Sequence, residues 1–140
     1  MSFETLGDLN WLAVLVAAVA YWVIGAVWYA PPVLGRAWAQ AGGIAIPENQ
    51  RPGPKTIVGP LLTSFVASVA TAWLASATAS DTVGEGLVLG LVVAVGYALT
   101  ITALGALFEP KPDPGRWALI NSGYHVIGLL VVGVIVSVWD

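Results

Sequence analysis

Four uncharged apolar runs, each long enough to cross a bilayer, divide this 140-residue chain. They cover 9–30, 57–78, 86–108 and 117–139, and none holds a Lys, Arg, Asp or Glu. A hydrocarbon core about 30 Å thick takes about 20 helical residues to cross. Nothing in that core can bond a free N–H or C=O, so each run must satisfy its own backbone as a helix. Barrel strands would alternate polar and apolar residues, and these runs do not. The expectation is an all-α membrane protein, one domain over 1–140, with four transmembrane helices in a compact bundle. Composition agrees: 9% of residues are charged and 58% apolar, against about 25% charged in a soluble domain. The first run is too long for a signal segment, and Glu4 and Asp8 precede it where a signal would be basic.

Orientation follows from the basic residues. Arg36, Arg51 and Lys55 lie in the first loop, Lys111 and Arg116 in the third, and none in the second loop or at the termini. Short loops rich in Lys and Arg stay cytoplasmic. The expected topology is multi-pass in the cell inner (plasma) membrane, with both termini outside the cytoplasm. Trp11, Trp28, Trp38, Trp117 and Trp139 fall at run ends, where interfacial rings settle, while Trp22 and Trp73 are expected to pack inside. In the first loop, Val33, Leu34, Ala37, Trp38 and Ala41 surround Arg36 and Gln40 and predict a short interfacial helix within Pro31 to Gly42. Pro47, Pro52 and Pro54 make the remainder irregular, and Pro60 is expected in the first turn of the second span. Pro110, Pro112 and Pro114 stiffen the third loop. Five scattered cations build no phosphate-binding stripe, so a nucleic-acid partner is not expected.

A weak repeat joins the halves. Gly25-Ala26-Val27-Trp28, Pro32 and Gly35-Arg36 recur as Gly105-Ala106-Leu107-Phe108, Pro112 and Gly115-Arg116, at a constant offset of 80. This suggests two parallel-repeat hairpins; similar punctuation at two helix ends explains it as well. Lipid supplies no hydrophobic drive between helices, so contacts rely on small residues. Every span has them, including the GxxxG pair Gly86 and Gly90 and the series Gly123, Gly128 and Gly133. One four-helix unit uses only part of this surface, and a homo-oligomer is the expectation.

The polar groups inside the spans are few. Asn121 and His125, four residues apart, share a helix face, with Tyr124 beside them. His125 lies about 13 Å from the basic end of its span at helical rise, near mid-membrane. Ionisable residues at that depth are functional candidates by default. Ser64 and Ser68, Tyr97 and Thr100, and the stretch near Tyr21 fall at matching depths. The candidate layer is Asn121, Tyr124, His125, Thr100, Ser64 and Tyr21. Its other reading is structural: a neutral imidazole that holds helices together by hydrogen bonds. Asn10 reads as a helix start and Tyr29 as a packing or anchoring ring. One His, no Cys and no acid inside a span leave no catalytic set, metal site or cofactor motif, so no enzyme is expected.

Asn10-Trp11-Leu12-Ala13-Val14-Leu15-Val16-Ala17, Gly25-Ala26-Val27-Trp28-Tyr29-Ala30-Pro31 and Gly35-Arg36-Ala37-Trp38 resemble the opening of the bacterial membrane proteins called domain of unknown function 1761. Asn121-Ser122-Gly123-Tyr124-His125 and the apolar run to Trp139 resemble that family's close. The resemblance implies four membrane helices and no assigned activity or site. The Trp-rich opening is also similar to the tryptophan-rich sensory membrane proteins, but those have five helices. The reading that follows is a small membrane protein that binds or passes a small solute, ion or lipid-like ligand at the polar layer; the alternative is a structural or accessory subunit.

Overall fold

Proline and short polar caps decide where the helices begin. The structure, a computed structural model, describes residues 3–46 and 53–139. Arg51 and the loop prolines Pro47 and Pro52 therefore lie outside the described residues. After a 3-10 turn over Phe3–Asp8, helix α1 covers Trp11–Trp28. Asn10 caps it, its side chain accepting from the Ala13 N–H. Pro31 forces Ala30 into extended geometry (φ −62°, ψ 138°) and ends the span. One π turn, Pro31–Gly35, leads into α2, Arg36–Gly42, which stops at Gly43 with φ +67°. A short helix is thus present within the expected stretch, and Ala39 and Ala41 are buried because α2 lies against the last helix.

Helix α3 runs Pro54–Thr78 and α6 runs Pro114–Val138, each about one turn earlier than the apolar runs suggest. Pro54 and Pro114 cost nothing at the first helical position, where the N–H has no partner anyway. Asp113 caps α6 by accepting from the Arg116 N–H. Pro60 is consequently inside α3 and not in its first turn, which removes one helical bond near the basic-loop end. The third span is α4, Val83–Val93, then a π segment, Ala94–Leu99, then α5, Thr100–Phe108. Thr82 and Glu85 start it as a reciprocal capping box. Among the described residues, four helices are long and apolar enough to cross a membrane: Trp11–Trp28, Pro54–Thr78, Val83–Phe108 and Pro114–Val138. The fold is an all-α membrane bundle.

Helix α6 is the hub, touching α1, α2, α3, α4 and α5. The hairpins α1/α3 and (α4–α5)/α6 join mainly along α1 and α6, while α3 and α4 meet little. The two copies of the repeated motif have different surroundings: Gly25 faces the Tyr124 ring, whereas Gly105 has only the Glu109 carboxylate nearby. Loop three folds back on α2, with the Asp113 N–H donating to the Ala41 carbonyl at 3.1 Å. Lys111 pairs with Glu109 at 2.7 Å and lies 4.0 Å from the Trp117 ring centre. Trp22 donates to the Ile57 carbonyl of α3, and Trp73 donates to Thr5 and stacks on Phe3 at 5.3 Å, so both rings join elements as well as filling space.

The α4–α6 contact is backbone on backbone. A methyl on Gly86 would stand 2.6 Å from the Gly133 carbonyl oxygen, and one on Gly90 would stand 2.8 Å from Leu130 Cα. Apolar tails solvate a helix as well as another helix does, so such van der Waals closeness is what holds the pair. Gly90→Ala is expected to cost about 1–3 kcal/mol by overpacking. Gly84→Ala, where a methyl meets no neighbour, is expected to stay within about 0.5 kcal/mol of the parent. Thermal unfolding in detergent, compared for the two variants, checks this.

Candidate functional site: the polar layer between helices α1 and α6

Helical spacing puts Tyr21, Gly25 and Trp28 on one face of α1, and Asn121, Tyr124, His125 and Gly128 on one face of α6. The faces meet, and each large ring lies over a glycine of the opposing element. Gly128 lies under the Tyr21 ring, where any Cβ would overlap it. A Cβ on Gly25 would stand 3.0 Å from Tyr124 Cε2, and one on Gly123 would stand 3.0 Å from Trp28 Cζ2. Gly42 of α2 has the same relation to Trp117, at 3.0 Å. Any side chain at Gly128 would force Tyr21 away from its partner.

Hydrogen bonds follow the rings. The Tyr21 hydroxyl is 2.5 Å from His125 Nδ1; with the imidazole neutral and protonated on Nε2, the phenol is the donor. The Tyr29 hydroxyl donates to Asn121 Oδ1 at 2.7 Å, and Asn121 Nδ2 donates to the Trp117 carbonyl at 2.7 Å. Trp28 Nε1 donates to the Ile120 carbonyl at 3.0 Å. At the far end, Asn10 Nδ2 donates to the Trp139 carbonyl at 2.6 Å, which brings the two chain ends to one end of the bundle. The aromatic rings form a continuous series. Trp38 meets Tyr29 edge-on at 5.3 Å, Tyr29 meets Tyr124 at 5.3 Å, and Tyr124 lies 5.1 Å from Tyr21 and 4.8 Å from His125. Offset and edge-on pairs at these separations are attractive by about 0.5–1.5 kcal/mol each.

The structure thus brings Tyr21, Asn121, Tyr124 and His125 together. Ser64 of α3 is buried (2% exposed) and lies beside Tyr124, without a hydrogen bond of regular geometry. Ser68, one turn on, is fully buried and likewise unbonded among the described residues. Thr100 does not join the layer: it is exposed, and its hydroxyl donates to the Gly96 and Tyr97 carbonyls of its own helix, both at 2.9 Å. The π segment before it rotates this stretch of the span relative to a regular helix. Tyr29, Trp28 and Trp38 complete the layer. Their signal in the sequence is the helical stripe Tyr21, Gly25, Trp28, which matches Asn121, Tyr124, Gly128 on the other strand of the seam. Two surface grooves, one of about 370 Å³ lined by Thr78, Ser80, Glu85, Val88 and Val92, the other by Leu62, Val66 and Ala70, do not reach His125.

A double-mutant cycle on Tyr21→Phe and His125→Ala is expected to give a coupling of about 0.6 kcal/mol, with about 1.7 kcal/mol as the ceiling for a side-chain bond in a membrane bundle. Unfolding in detergent–denaturant mixtures measures it. Strict additivity would mean that the 2.5 Å contact contributes nothing to stability.

A family model described as "Protein of unknown function (DUF1761)" matches residues 12–137. No curated protein and no solved structure matches the chain. The matched stretch takes in the four long helices, except the first residue of α1 and the last of α6, and every member of the polar layer. With nearly its whole length inside the match, the chain belongs to the DUF1761 family.

Proposed function

We propose that this protein is a structural or accessory subunit of the cell inner membrane, not an enzyme, whose polar layer holds α1 and α6 in register. The observation that carries this reading is mutual satisfaction. Tyr21 bonds His125, Tyr29 bonds Asn121, and Asn10 bonds the Trp139 carbonyl, at three depths along one seam. A bond missed by sliding one helix past the other would leave a polar group facing hydrocarbon, at a cost of about 2–7 kcal/mol. Such a seam selects one alignment and makes a rigid unit for larger partners or for further copies to dock against.

A second reading, binding or passage of a small solute, ion or lipid-like ligand, has one specific observation in its favour. His125 is only half-buried, its Nε2 makes no hydrogen bond among the described residues, and the buried Ser64 hydroxyl beside Tyr124 has no hydrogen bond of regular geometry there. Reconstitution into vesicles separates the two readings. The subunit reading expects proton and glycerol permeation equal to that of empty vesicles, for both the parent and His125→Ala, with a lower melting temperature for the variant. A proton or glycerol flux that disappears in His125→Ala would replace it with the ligand reading.

The proposed topology, with both termini outside the cytoplasm, rests on the five basic residues of loops one and three. In intact spheroplasts, a cysteine at the exposed Asp81 is expected to react with a membrane-impermeant maleimide, and one at the exposed Gly53 only after lysis. The opposite pattern would invert the topology.

A further inference from the structure

The geometry points to the face of the third span around Gly96 and Tyr97 as the contact between two copies of this chain. Tyr97 is 66% exposed on the outside of the bundle. It lies near the middle of the Val83–Phe108 span, about 16 Å from the nearer end at helical rise. That exceeds the length of a tyrosine side chain, so its hydroxyl cannot snorkel to the interface. The hydroxyl makes no hydrogen bond among the described residues, and acyl chains offer none. A phenol left unpaired in hydrocarbon is unfavourable, and a protein surface at the same depth removes the deficit.

The occupant follows from symmetry and shape. Copies of one chain insert in the same orientation, whichever that is, so the two-fold axis of a dimer is parallel to the membrane normal. Residues of equal depth then face each other across it, and the contact patch must be complementary to itself. This patch is. Gly96 is the adjacent residue, and a Cβ there would meet nothing within 4 Å, which leaves an open notch beside the projecting ring. Within the fold, Tyr21, Tyr124, Trp28 and Trp117 each lie over a glycine of another helix. Tyr97 and Gly96 are the same ring and notch, left without a counterpart. The ring of Tyr97 seats over the partner's Gly96, and its hydroxyl donates to the partner's Thr100 hydroxyl. Thr100 is exposed one turn along the same span; it donates its own proton to the Gly96 and Tyr97 carbonyls and keeps its oxygen lone pairs free to accept. An unrelated partner would need no such pairing of knob and notch on one patch.

The chain has no cysteine, so single-cysteine variants of the full protein test this directly in membranes. Gly96→Cys is expected to give a cross-linked dimer on mild oxidation. Val66→Cys, at the same depth on α3 and also 66% exposed, is expected to stay monomeric. Gly96→Leu, which fills the notch without touching the monomer's own packing, is expected to weaken association on the order of tenfold in energy-transfer dilution experiments in vesicles, and Tyr97→Phe less. The melting temperature of monomeric Gly96→Leu in detergent confirms that it folds. Equal cross-linking at both positions, none at Gly96→Cys, or unchanged association of Gly96→Leu would overturn the assignment.

Discussion

The fit of aromatic rings into glycine notches along α6 is the constraint on which the rest of this bundle depends. In water, two apolar helix faces attract because the solvent rejects them. In lipid that drive is gone, and shape complementarity with interhelical hydrogen bonds must replace it. Gly128 and Gly123 give Tyr21 and Trp28 of α1 room to lie flat on α6, and Gly25 does the same for Tyr124 in the opposite direction. Only when the rings are seated do the Tyr21 hydroxyl and His125 Nδ1, and the Tyr29 hydroxyl and Asn121, come within bonding distance. Packing therefore comes first, and the polar layer follows from it.

The same helix uses a different device on its other side. Gly86 and Gly90 of α4 approach the backbone of α6 at Leu129 to Val134, with Gly133 reciprocating, and no side-chain hydrogen bond is needed. The α1 side is specific because its polar pairs break if the helices slide; the α4 side is close because its backbones touch. Together they explain why α6 contributes more buried residues than any other helix and α5, beyond the π segment, contributes none. The exposed face that results, with Tyr97 near mid-membrane, is where the chain is least complete by itself.

Much of this was readable from residue order. Uncharged runs of helical length announced the spans, and the proline and cap residues Pro54, Pro114, Asn10 and Thr82 explain their starts. The candidate layer was half readable: Asn121 and His125 share a face by spacing alone. Their partners were not readable, because a sequence shows which residues share a face and not which two faces meet. Thr100 illustrates the gap. Its depth matches that of His125, but the π segment at Ala94–Leu99 sends its face outward, and no residue in Ala-Val-Gly-Tyr-Ala-Leu signals an extra residue in the turn. Pro60 shows a smaller one: its place inside α3 depended on a start at Pro54 that the apolar run did not reveal.

Residue order alone was enough to establish a membrane bundle of four helices, because length, absence of charge and the need to satisfy backbone groups in hydrocarbon leave no other solution. Membership in the DUF1761 family agrees with its opening and closing motifs. Tertiary contact decided the pairing: that α6 is the hub, that Tyr21 meets His125 over Gly128, and that Tyr97 is left exposed. The reason is range. Helix formation in lipid is enforced residue by residue along the chain, whereas the choice of neighbour depends on whether shapes more than a hundred positions apart fit.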